Sequence, residues 1–428
     1  MKNEATVEQK TKRSWIKTLG PGLITGAADD DPSGIATYTQ AGAKFGYGLG
    51  WTLLITFPLM VGIQLASARI GRTTGKGLTA AFAEMFPRSL VGIMVALLVL
   101  ANVINLGADI GAMAEVSRIA LGGPEAAWVI GFGTVSLGLQ AWLPYRRYVR
   151  ILKWLTLALF SYAAVALVAG VDWKAAALGV VVPQISWNTE TIKMIVALLG
   201  TTISPYLFFW QAAQEVEEIE RVKSDQPLKR APQQATKHLR RLKIDTWVGM
   251  GFSNAIAYCM ILAAAATLHS HGATDVVSTT QAAEALKPVA GSAAFALFAL
   301  GILGTGLLAL PVLAGSAAYA CAELFGIRRG LDKAPNAAPA FYAILAAAMV
   351  LGVEVGISGI DPMKALVWSA VVNSVMAVPI MMGVMLASTN KKLMGDLVLT
   401  GGWRFLGWCA TGAMALACLA WGGSAVWG

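Results

Sequence analysis

The chain has 428 residues, of which 56% are hydrophobic and only 13% are charged. A soluble domain of this length does not need so much apolar surface, so the composition predicts an all-α polytopic membrane protein. The net charge of +9 is not evidence for nucleic-acid binding, because membrane orientation accounts for where the basic residues fall.

Apolar runs predict eleven membrane spans. In chain order they are 18–45, 49–68, 90–119, 125–144, 151–171, 193–214, 245–268, 291–323, 339–356, 363–388 and 403–427. The run 291–323 is too long for one upright helix, so it must tilt, kink or project beyond the bilayer. Residues 1–17 are polar and basic and are expected to form a cytoplasmic tail without a cleavable signal.

The basic residues predict the orientation of the chain. With the N-terminus inside, all but six of the 33 Lys and Arg fall in cytoplasmic segments. The six on the other side are Lys44, Arg118, Lys174, Lys193, Lys287 and Lys364. This asymmetry follows the positive-inside rule and predicts an inner-membrane protein with its N-terminus in the cytoplasm and its C-terminus outside.

The first span is interrupted by charge and by proline. It contains Asp29-Asp30-Asp31-Pro32-Ser33-Gly34, where a spanning helix should be uniformly apolar. A carboxylate at membrane depth costs ~2.5–3.5 kcal/mol on insertion scales and marks an ion or substrate pathway. Proline removes a backbone donor, and broken backbone at that depth is tolerated only where it lines a cavity or is buried in protein. The run therefore predicts an ion site in a broken helix.

A second interruption lies at the matching place in the second half of the chain. The spans form two sets of five, 18–171 and 193–388, and a cytoplasmic loop and an eleventh span follow at 389–428; a long polar stretch, Glu215 to Lys243, connects the sixth and seventh spans. The sixth span breaks at Thr201-Thr202-Ile203-Ser204-Pro205-Tyr206. Because five is odd, the second set must be inverted relative to the first. Paired breaks in inverted repeats are typical of secondary transporters with a site at the membrane midplane, and Asp31 favours a cation as the cargo.

Several motifs resemble the Nramp family of divalent-metal transporters. They are Gly20-Pro21-Gly22, Asp31-Pro32-Ser33-Gly34 and Ala41-Gly42-Ala43-Lys44-Phe45-Gly46-Tyr47 in the first span, Gln64-Leu65-Ala66-Ser67-Ala68-Arg69-Ile70-Gly71 in the second, and Asn390-Lys391-Lys392-Leu393-Met394-Gly395 after the tenth. The resemblance extends over nearly the whole chain. It implies a LeuT-like fold of two inverted five-helix repeats with discontinuous helices 1 and 6, alternating access, and uptake of a divalent cation.

The chain departs from the family at the metal site. Gly34 stands where the family has a coordinating Asn, and Ser204 stands where it has a coordinating Met. A thioether favours soft metals over Mg²⁺, so its loss leaves an oxygen-lined site. The missing amide at Gly34 is expected to open space for a partly hydrated Mg²⁺, which loses its water reluctantly. The pattern resembles the Nramp-related magnesium transporters, which carry Mg²⁺ and Mn²⁺.

Titratable groups of the family are also replaced. Tyr206 and Gln211 stand where the family has His, and Ala112 stands where it has a proton-pathway Glu, although Asp109 aligns with a family acidic residue. Proton relays need chains of Asp, Glu or His at membrane depth. The sequence therefore predicts entry driven by the membrane potential without proton coupling.

The predicted ligands cluster at the two breaks. Asp31 is expected to neutralise the ion, or alternatively to cap the half-helix that follows it. The resemblance implies that Ala28 offers a backbone carbonyl. Thr201 and Ser204 are expected to face the break as hydroxyl ligands, or alternatively to bond to the preceding turn of their own helix.

Two amide side chains complete the predicted ligand set. Gln64 aligns with a polar residue near the family site; its alternative is a polar contact between helices. In the tenth helix the family Gln position reads Ala370, and Asn373, about one turn further on, could supply the missing amide.

Two pairs of acidic residues have open interpretations. Asp29 and Asp30 either form an outer funnel that concentrates cations, or one of them pairs with a basic residue in the bundle. Glu215 and Glu218, one turn apart at the cytoplasmic end of span six, either line an inner exit or form a solvated helix end.

The favoured function is uptake of Mg²⁺ and Mn²⁺, with the ion and the lipid bilayer as partners and no cofactor. One alternative is a proton-coupled Mn²⁺/Fe²⁺ transporter of the same family. Another is an organic-substrate carrier of the same fold, because a fold alone does not fix function. The sequence has no H-E-x-x-H motif or comparable catalytic signature, so an enzyme is not expected. The oligomeric state does not follow from the sequence.

Overall fold

The computed structural model of the chain describes residues 25–26, 28–143, 157, 159–183, 186–276 and 278–427. The described residues are mostly helical and contain no strand. The main helices are α1 (Pro32–Phe45), α2 (Gly50–Thr74), α3 (Arg88–Leu121), α4 (Glu125–Trp142), α5 (Phe160–Val168), α6 (Trp173–Val181), α7 (Thr189–Thr202), α8 (Pro205–Arg221), α9 (Ala235–Thr267), α10 (Ala294–Phe325), α11 (Pro339–Ile357), α12 (Pro362–Thr389) and α13 (Gly401–Trp427). Short helices at Leu78–Ala83, Thr279–Glu284, Lys287–Ala290 and Lys391–Met394 connect them.

Within the described ranges, eight helices are long and apolar enough to cross a membrane, with α7 and α8 together forming one of them. They occupy eight of the eleven predicted spans. Of the other three, 125–144 is occupied by α4, whereas 18–45 and 151–171 each include residues outside the described ranges. The tail 1–17 and the Gly20-Pro21-Gly22 motif also lie outside them.

Both predicted helix breaks are present. Ala28 and Asp29 are helical, Asp30 is not, and α1 begins at Pro32. In the second break α7 ends at Thr202 and α8 begins at Pro205. Proline is favoured at the first position of a helix because the missing backbone N–H would have no partner there. The local sequence therefore explains why both helices restart where they do.

The third helix of each predicted repeat lies beside the breaks. α3 packs against α10, α11 and α12, and it also contacts α1. The half-helix α1 packs against α9, α12 and α7. The first break is therefore enclosed by helices from both halves of the chain.

Two glycines allow the helices around the breaks to approach closely. A Cβ added to Gly200 in α7 would lie 1.9 Å from the carbonyl oxygen of Ala370 in α12. A Cβ added to Gly306 in α10 would lie 2.4 Å from Met113 Sδ in α3 and 3.3 Å from Pro32 Cγ. At Gly200 the nearest atom belongs to the backbone, so a larger residue would move a helix, whereas at Gly306 the side chain of Met113 would have to shift.

Candidate ion-binding site at the two helix breaks

The Asp31 carboxylate lies where the two breaks meet, and the residue is only 1% exposed. Its Oδ1 accepts hydrogen bonds from Ser33 Oγ at 2.6 Å and from the Gly34 backbone N–H at 2.9 Å. Its Oδ2 accepts from Asn105 Nδ2 at 3.0 Å and from the Tyr206 hydroxyl at 3.0 Å. Asp31 is thus the helix cap that the sequence offered as an alternative, and its second oxygen also joins α1 to α3 and α8.

The Tyr206 hydroxyl brings two predicted site residues together. Besides Asp31 Oδ2, it lies 3.5 Å from the carbonyl oxygen of Ala28. The side chain is fully buried. Ala28, Asp31 and Tyr206 therefore surround one point at the break, where Tyr206 stands in place of the His of the family.

The hydroxyls of the second break differ in their contacts. Ser204 Oγ donates to the Gly200 carbonyl at 2.8 Å, so it makes the predicted alternative contact with the preceding turn of α7. Thr201 Oγ1 instead lies beside α1, 3.3 Å from the position of a Cβ on Gly34. The Tyr38 ring approaches that position equally closely. The Cβ position of Gly34 is therefore closely packed, and the room for a hydrated ion beyond it stays a prediction.

The amide side chains fall into two groups. Gln64 Nε2 donates to the Leu207 carbonyl at 3.0 Å and to Gln211 Oε1 at 2.5 Å, so Gln64 is bonded between α2 and α8. Gln211 Nε2 in turn donates to Thr246 Oγ1 at 3.2 Å. Asn373 is 1% exposed, and neither its nitrogen nor its oxygen has a hydrogen-bond partner in the described structure. Of these residues, Asn373 is the one with amide atoms available for a ligand.

Asp29 and Asp30 are buried against α9. Ser253 Oγ lies 2.7 Å from Asp29 Oδ2 and 3.1 Å from Asp30 Oδ1. The two residues are 1% and 0% exposed. Within the described ranges neither predicted arrangement is present, because buried carboxylates do not form an outer funnel and their contact there is a hydroxyl rather than a basic side chain. The separation of more than 200 residues from Ser253 hid this contact from sequence reasoning.

One polar residue of the site was missed. Asn105 lies one helical turn before Asp109 on α3, and both residues are 0% exposed. Asp109 is an electrostatic neighbour of Asp31, and Asn105 bonds to Asp31 directly. The available signal was the pair of polar residues at i and i+4 in an otherwise apolar helix, which places both on one face.

Glu215 and Glu218 belong to an ion-pair network at one end of the bundle. Glu215 is fully buried and bonds to Arg241, while Arg72 Nη1 lies 4.0 Å away. Glu218 pairs with Arg221 and lies 3.9 Å from Arg241. The predicted solvated helix end is therefore wrong for Glu215.

The same network extends into the polar loop after α8. Asp225 pairs with Arg72, whose guanidinium is buried and also contacts the His238 ring at 2.8 Å. Partial burial raises the pKa of Asp225, but the hydrogen bond and the charge of Arg72 outweigh it and hold the pKa below its usual range. Arg72 thus ties α2 to the loop and to α9.

A cavity of about 350 Å³ lies at the opposite end, next to the end of α1. Lys44 pairs there with Glu190 at 2.9 Å and Asp275 at 3.3 Å. Lys193 and Lys364 also line the cavity. Three of the six basic residues predicted to lie outside therefore meet at one end of the bundle.

No group of three or more His, Cys, Asp or Glu side chains within the described ranges is arranged to hold a metal. An ion at Asp31 would therefore need neutral oxygens from amides, hydroxyls or backbone carbonyls in addition to carboxylates. Mg²⁺ and Mn²⁺ accept such oxygen ligands.

The family model described as "Natural resistance-associated macrophage protein-like" matches residues 22–421. The "Divalent metal cation transporter MntH" of Klebsiella pneumoniae is 28% identical, over 95% of this chain and 93% of the relative. The transporter of the same name from Acidiphilium cryptum is 26% identical, over 91% of this chain and 87% of the relative.

Solved structures agree with the fold. The manganese transporter of Eremococcus coleocola superposes with a TM-score of 0.73 at 17% identity, over 95% of this chain and 86% of the other. MhsT superposes with a TM-score of 0.61 at 15% identity, over 93% and 98% of the two chains. The fold is therefore the LeuT-like fold of helical membrane transporters. Because the family model covers nearly the entire sequence, the chain belongs to the natural resistance-associated macrophage protein (Nramp) family.

Proposed function

We propose that this chain carries Mg²⁺ and Mn²⁺ across the membrane by alternating access between its two inverted repeats, 18–171 and 193–388. The observation that carries the proposal is the buried Asp31 carboxylate at the meeting point of two helix breaks, with the Ala28 carbonyl beside it and Ser204 in place of a thioether. Relatives of similar length are named divalent metal cation transporters. A site of oxygen ligands is suited to a hard cation such as Mg²⁺.

Uncoupled entry is the second part of the proposal. Neither break contains a His, and Tyr206 occupies the position beside Asp31. A divalent ion gains about 4.6 kcal/mol from an inside-negative potential of 100 mV, twice the value for a single charge. That energy suffices for accumulation without protons.

Proteoliposomes test both parts. Mg²⁺ and Mn²⁺ should enter, each should inhibit uptake of the other, and a trapped pH dye should not respond. Asp31→Asn should abolish uptake while leaving the protein folded. Acidification that tracks metal flux would favour the proton-coupled Mn²⁺/Fe²⁺ alternative, and unchanged metal flux in Asp31→Asn would favour an organic-substrate carrier.

A preference for Mn²⁺ is a second candidate because of Met113. The sulfur of this α3 residue lies 2.4 Å from the position of a Cβ on Gly306 in α10. Pro32 Cγ, at the start of α1, lies 3.3 Å from the same position. A thioether is a soft ligand that favours Mn²⁺ over Mg²⁺. If it contacts the ion, Met113→Leu should lower the ratio of Mn²⁺ to Mg²⁺ uptake; an unchanged ratio would assign Met113 to packing.

We also propose an inner-membrane location with a cytoplasmic N-terminus. Lys44, Lys193 and Lys364, which are predicted to lie outside, surround one cavity. Arg72 and Arg241, which are predicted to be cytoplasmic, lie in the ion-pair network at the other end. This separation supports the orientation that the positive-inside rule predicts. Labelling of a cysteine introduced at Lys364 by an impermeant reagent in intact cells, in a variant without native cysteines, tests it. A cysteine introduced at Lys237 should react only after the cells are opened.

A further inference from the structure

Two side chains of α3 near Asp31, Asn105 and Asp109, carry buried oxygens without a hydrogen-bond partner in the described part of the chain, and Asp29 and Asp30 each have one such oxygen too. Asn105 Nδ2 bonds to Asp31, but Asn105 Oδ1 is buried and has no hydrogen-bond partner in the described part of the chain. Asp109 faces the Ser33 backbone amide, yet neither of its carboxylate oxygens makes a hydrogen bond of acceptable geometry. Buried polar atoms without a protein partner are costly, so such atoms beside a candidate site are suited to bind an ion or a water molecule there.

The side-chain amide of Asn105 can flip when an ion binds to Asp31. A carboxylate only accepts hydrogen bonds, so Asn105 directs its NH₂ group toward Asp31. A cation bound to Asp31 Oδ2 would repel that NH₂ group. Rotation about the last side-chain bond then places Oδ1 where Nδ2 was, within reach of the same ion.

Asp109 supplies the charge that Asp31 alone lacks. A divalent ion in a low-dielectric site is best balanced by two negative charges, and bare charges at membrane depth are costly. Asp29 and Asp30 each contact Ser253 on α9 through one oxygen, whereas Asp109 is the carboxylate on the α3 side of Asp31. Asn105 and Asp109 are four residues apart and therefore lie on one face of α3.

We propose that α3 supplies two ligands to the transported ion, the amide oxygen of Asn105 and the carboxylate of Asp109, so that the ion is held between Asp31 and α3. The inference rests on the proposed function. It implies that an amide from the third helix takes the place of the amide missing at Gly34.

Isothermal titration of the purified protein with MgCl₂ and with MnCl₂ tests this assignment. Asn105→Leu and Asp109→Asn should each raise the Kd for both ions at least about tenfold, the lower limit seen when groups around a metal are removed. Asn105→Asp should bind at least as tightly as Asn105 itself, since a carboxylate oxygen replaces the amide oxygen. Asn105→Asp and Asp109→Asn nearly preserve side-chain volume, so they remain informative if Asn105→Leu does not fold.

Asn102 provides the matched control on the same helix. It is also fully buried, but its Nδ2 donates to the Leu313 carbonyl at 2.9 Å and to Ser316 Oγ at 2.8 Å on α10. Asn102→Leu should therefore lower thermal stability without changing either Kd.

The outcomes separate the two proposals. If Asp31→Asn abolishes binding while Asn105→Leu and Asp109→Asn bind like the wild type, the α3 ligands are refuted and the proposed function stands. If Asn105→Asp binds as weakly as Asn105→Leu, the NH₂ group only positions Asp31, and the ligand role is refuted. If Asp31→Asn binds like the wild type, the proposed function itself fails.

Discussion

Tyr206 donates a hydrogen bond to Asp31 Oδ2 at 3.0 Å and thereby joins the two broken helices at their interruptions. The two residues are 175 positions apart in sequence and belong to different repeats. Asn105 approaches the same oxygen from α3. A cation that binds Asp31 must therefore replace or rearrange these two donors, which links binding of the ion to the packing of three helices.

Replacing Tyr206 by His should make uptake sensitive to pH. An unshifted imidazole is about nine-tenths protonated at pH 5.5 and mostly neutral at pH 7.5. The protonated ring would pair with Asp31 and compete with the divalent ion, so uptake should fall as the pH is lowered. Mn²⁺ uptake into proteoliposomes at the two pH values measures the effect, and Tyr206→Phe, which has no titratable ring nitrogen, is the control. Equal pH profiles for the His and Phe variants would contradict the role of this contact.

Introducing a thioether at Ser204 should change metal preference. The Ser204 hydroxyl bonds to its own helix, so Ser204→Ala is expected to have little effect on transport. Ser204→Met adds a longer, softer side chain at the break and should raise the ratio of Mn²⁺ to Mg²⁺ uptake by about tenfold, equivalent to about 1.4 kcal/mol. Competition between the two metals in the same liposomes measures the ratio. An unchanged ratio would place the ion away from the second break.

The helix breaks were predictable because their causes are local. Proline fixes the start of α1 and of α8, and Asp31 caps the turn that follows it. Asn105 was not predictable in the same way, because α3 reads as an apolar spanning helix and its contact with Asp31 joins residues 74 positions apart. The burial of Glu215 likewise depends on Arg72 and Arg241, which come from two other helices.

The expectation at Gly34 shows a different limit. Glycine in place of the family's asparagine leaves free space only if the neighbouring residues keep the positions that they would have around asparagine. Here the Tyr38 ring and Thr201 Oγ1 both lie 3.3 Å from the Cβ position. Close packing of the interior therefore fills the Cβ position of Gly34, and only the space beyond it is left for the predicted hydrated ion.

Asp225→Asn should destabilise the protein at neutral pH. Asp225 accepts a hydrogen bond from the buried Arg72, and a hydrogen bond to a charged group contributes about 1.5–3 kcal/mol. Because the pKa of Asp225 is lower in the folded protein than its ordinary value of 3.8, this contribution is present above that pH and is lost as the pH falls through the folded value.

Thermal melting in detergent at neutral and at strongly acidic pH measures this effect. The variant should melt below the wild type at pH 7, and the difference should shrink toward zero in acid. Glu220→Gln is the control, because the pair of Glu220 with Lys333 is largely exposed and is expected to contribute at most about 1 kcal/mol. A pH-independent difference for Asp225→Asn would show that its charge does not stabilise the network.

Gly200→Ala should impair both folding and transport. The added Cβ would lie 1.9 Å from the Ala370 carbonyl oxygen and 2.4 Å from Ser374 Oγ, so α7 and α12 must separate. Overpacking of this kind costs about 1–3 kcal/mol or more. Since α7 ends two residues later, at Thr202, the shift would also displace the second break and reduce metal uptake.

Gly131→Ala is the matched control for Gly200→Ala. Gly131 lies inside α4, and a Cβ there meets nothing within 4 Å. Alanine is favoured over glycine in a helix interior by about 0.5–1 kcal/mol, so this variant should be as stable as the wild type or more so. Melting temperatures and Mg²⁺ uptake rates of both variants decide the matter. If Gly200→Ala matched Gly131→Ala in both measurements, the close approach of α7 and α12 would not be needed to form the site.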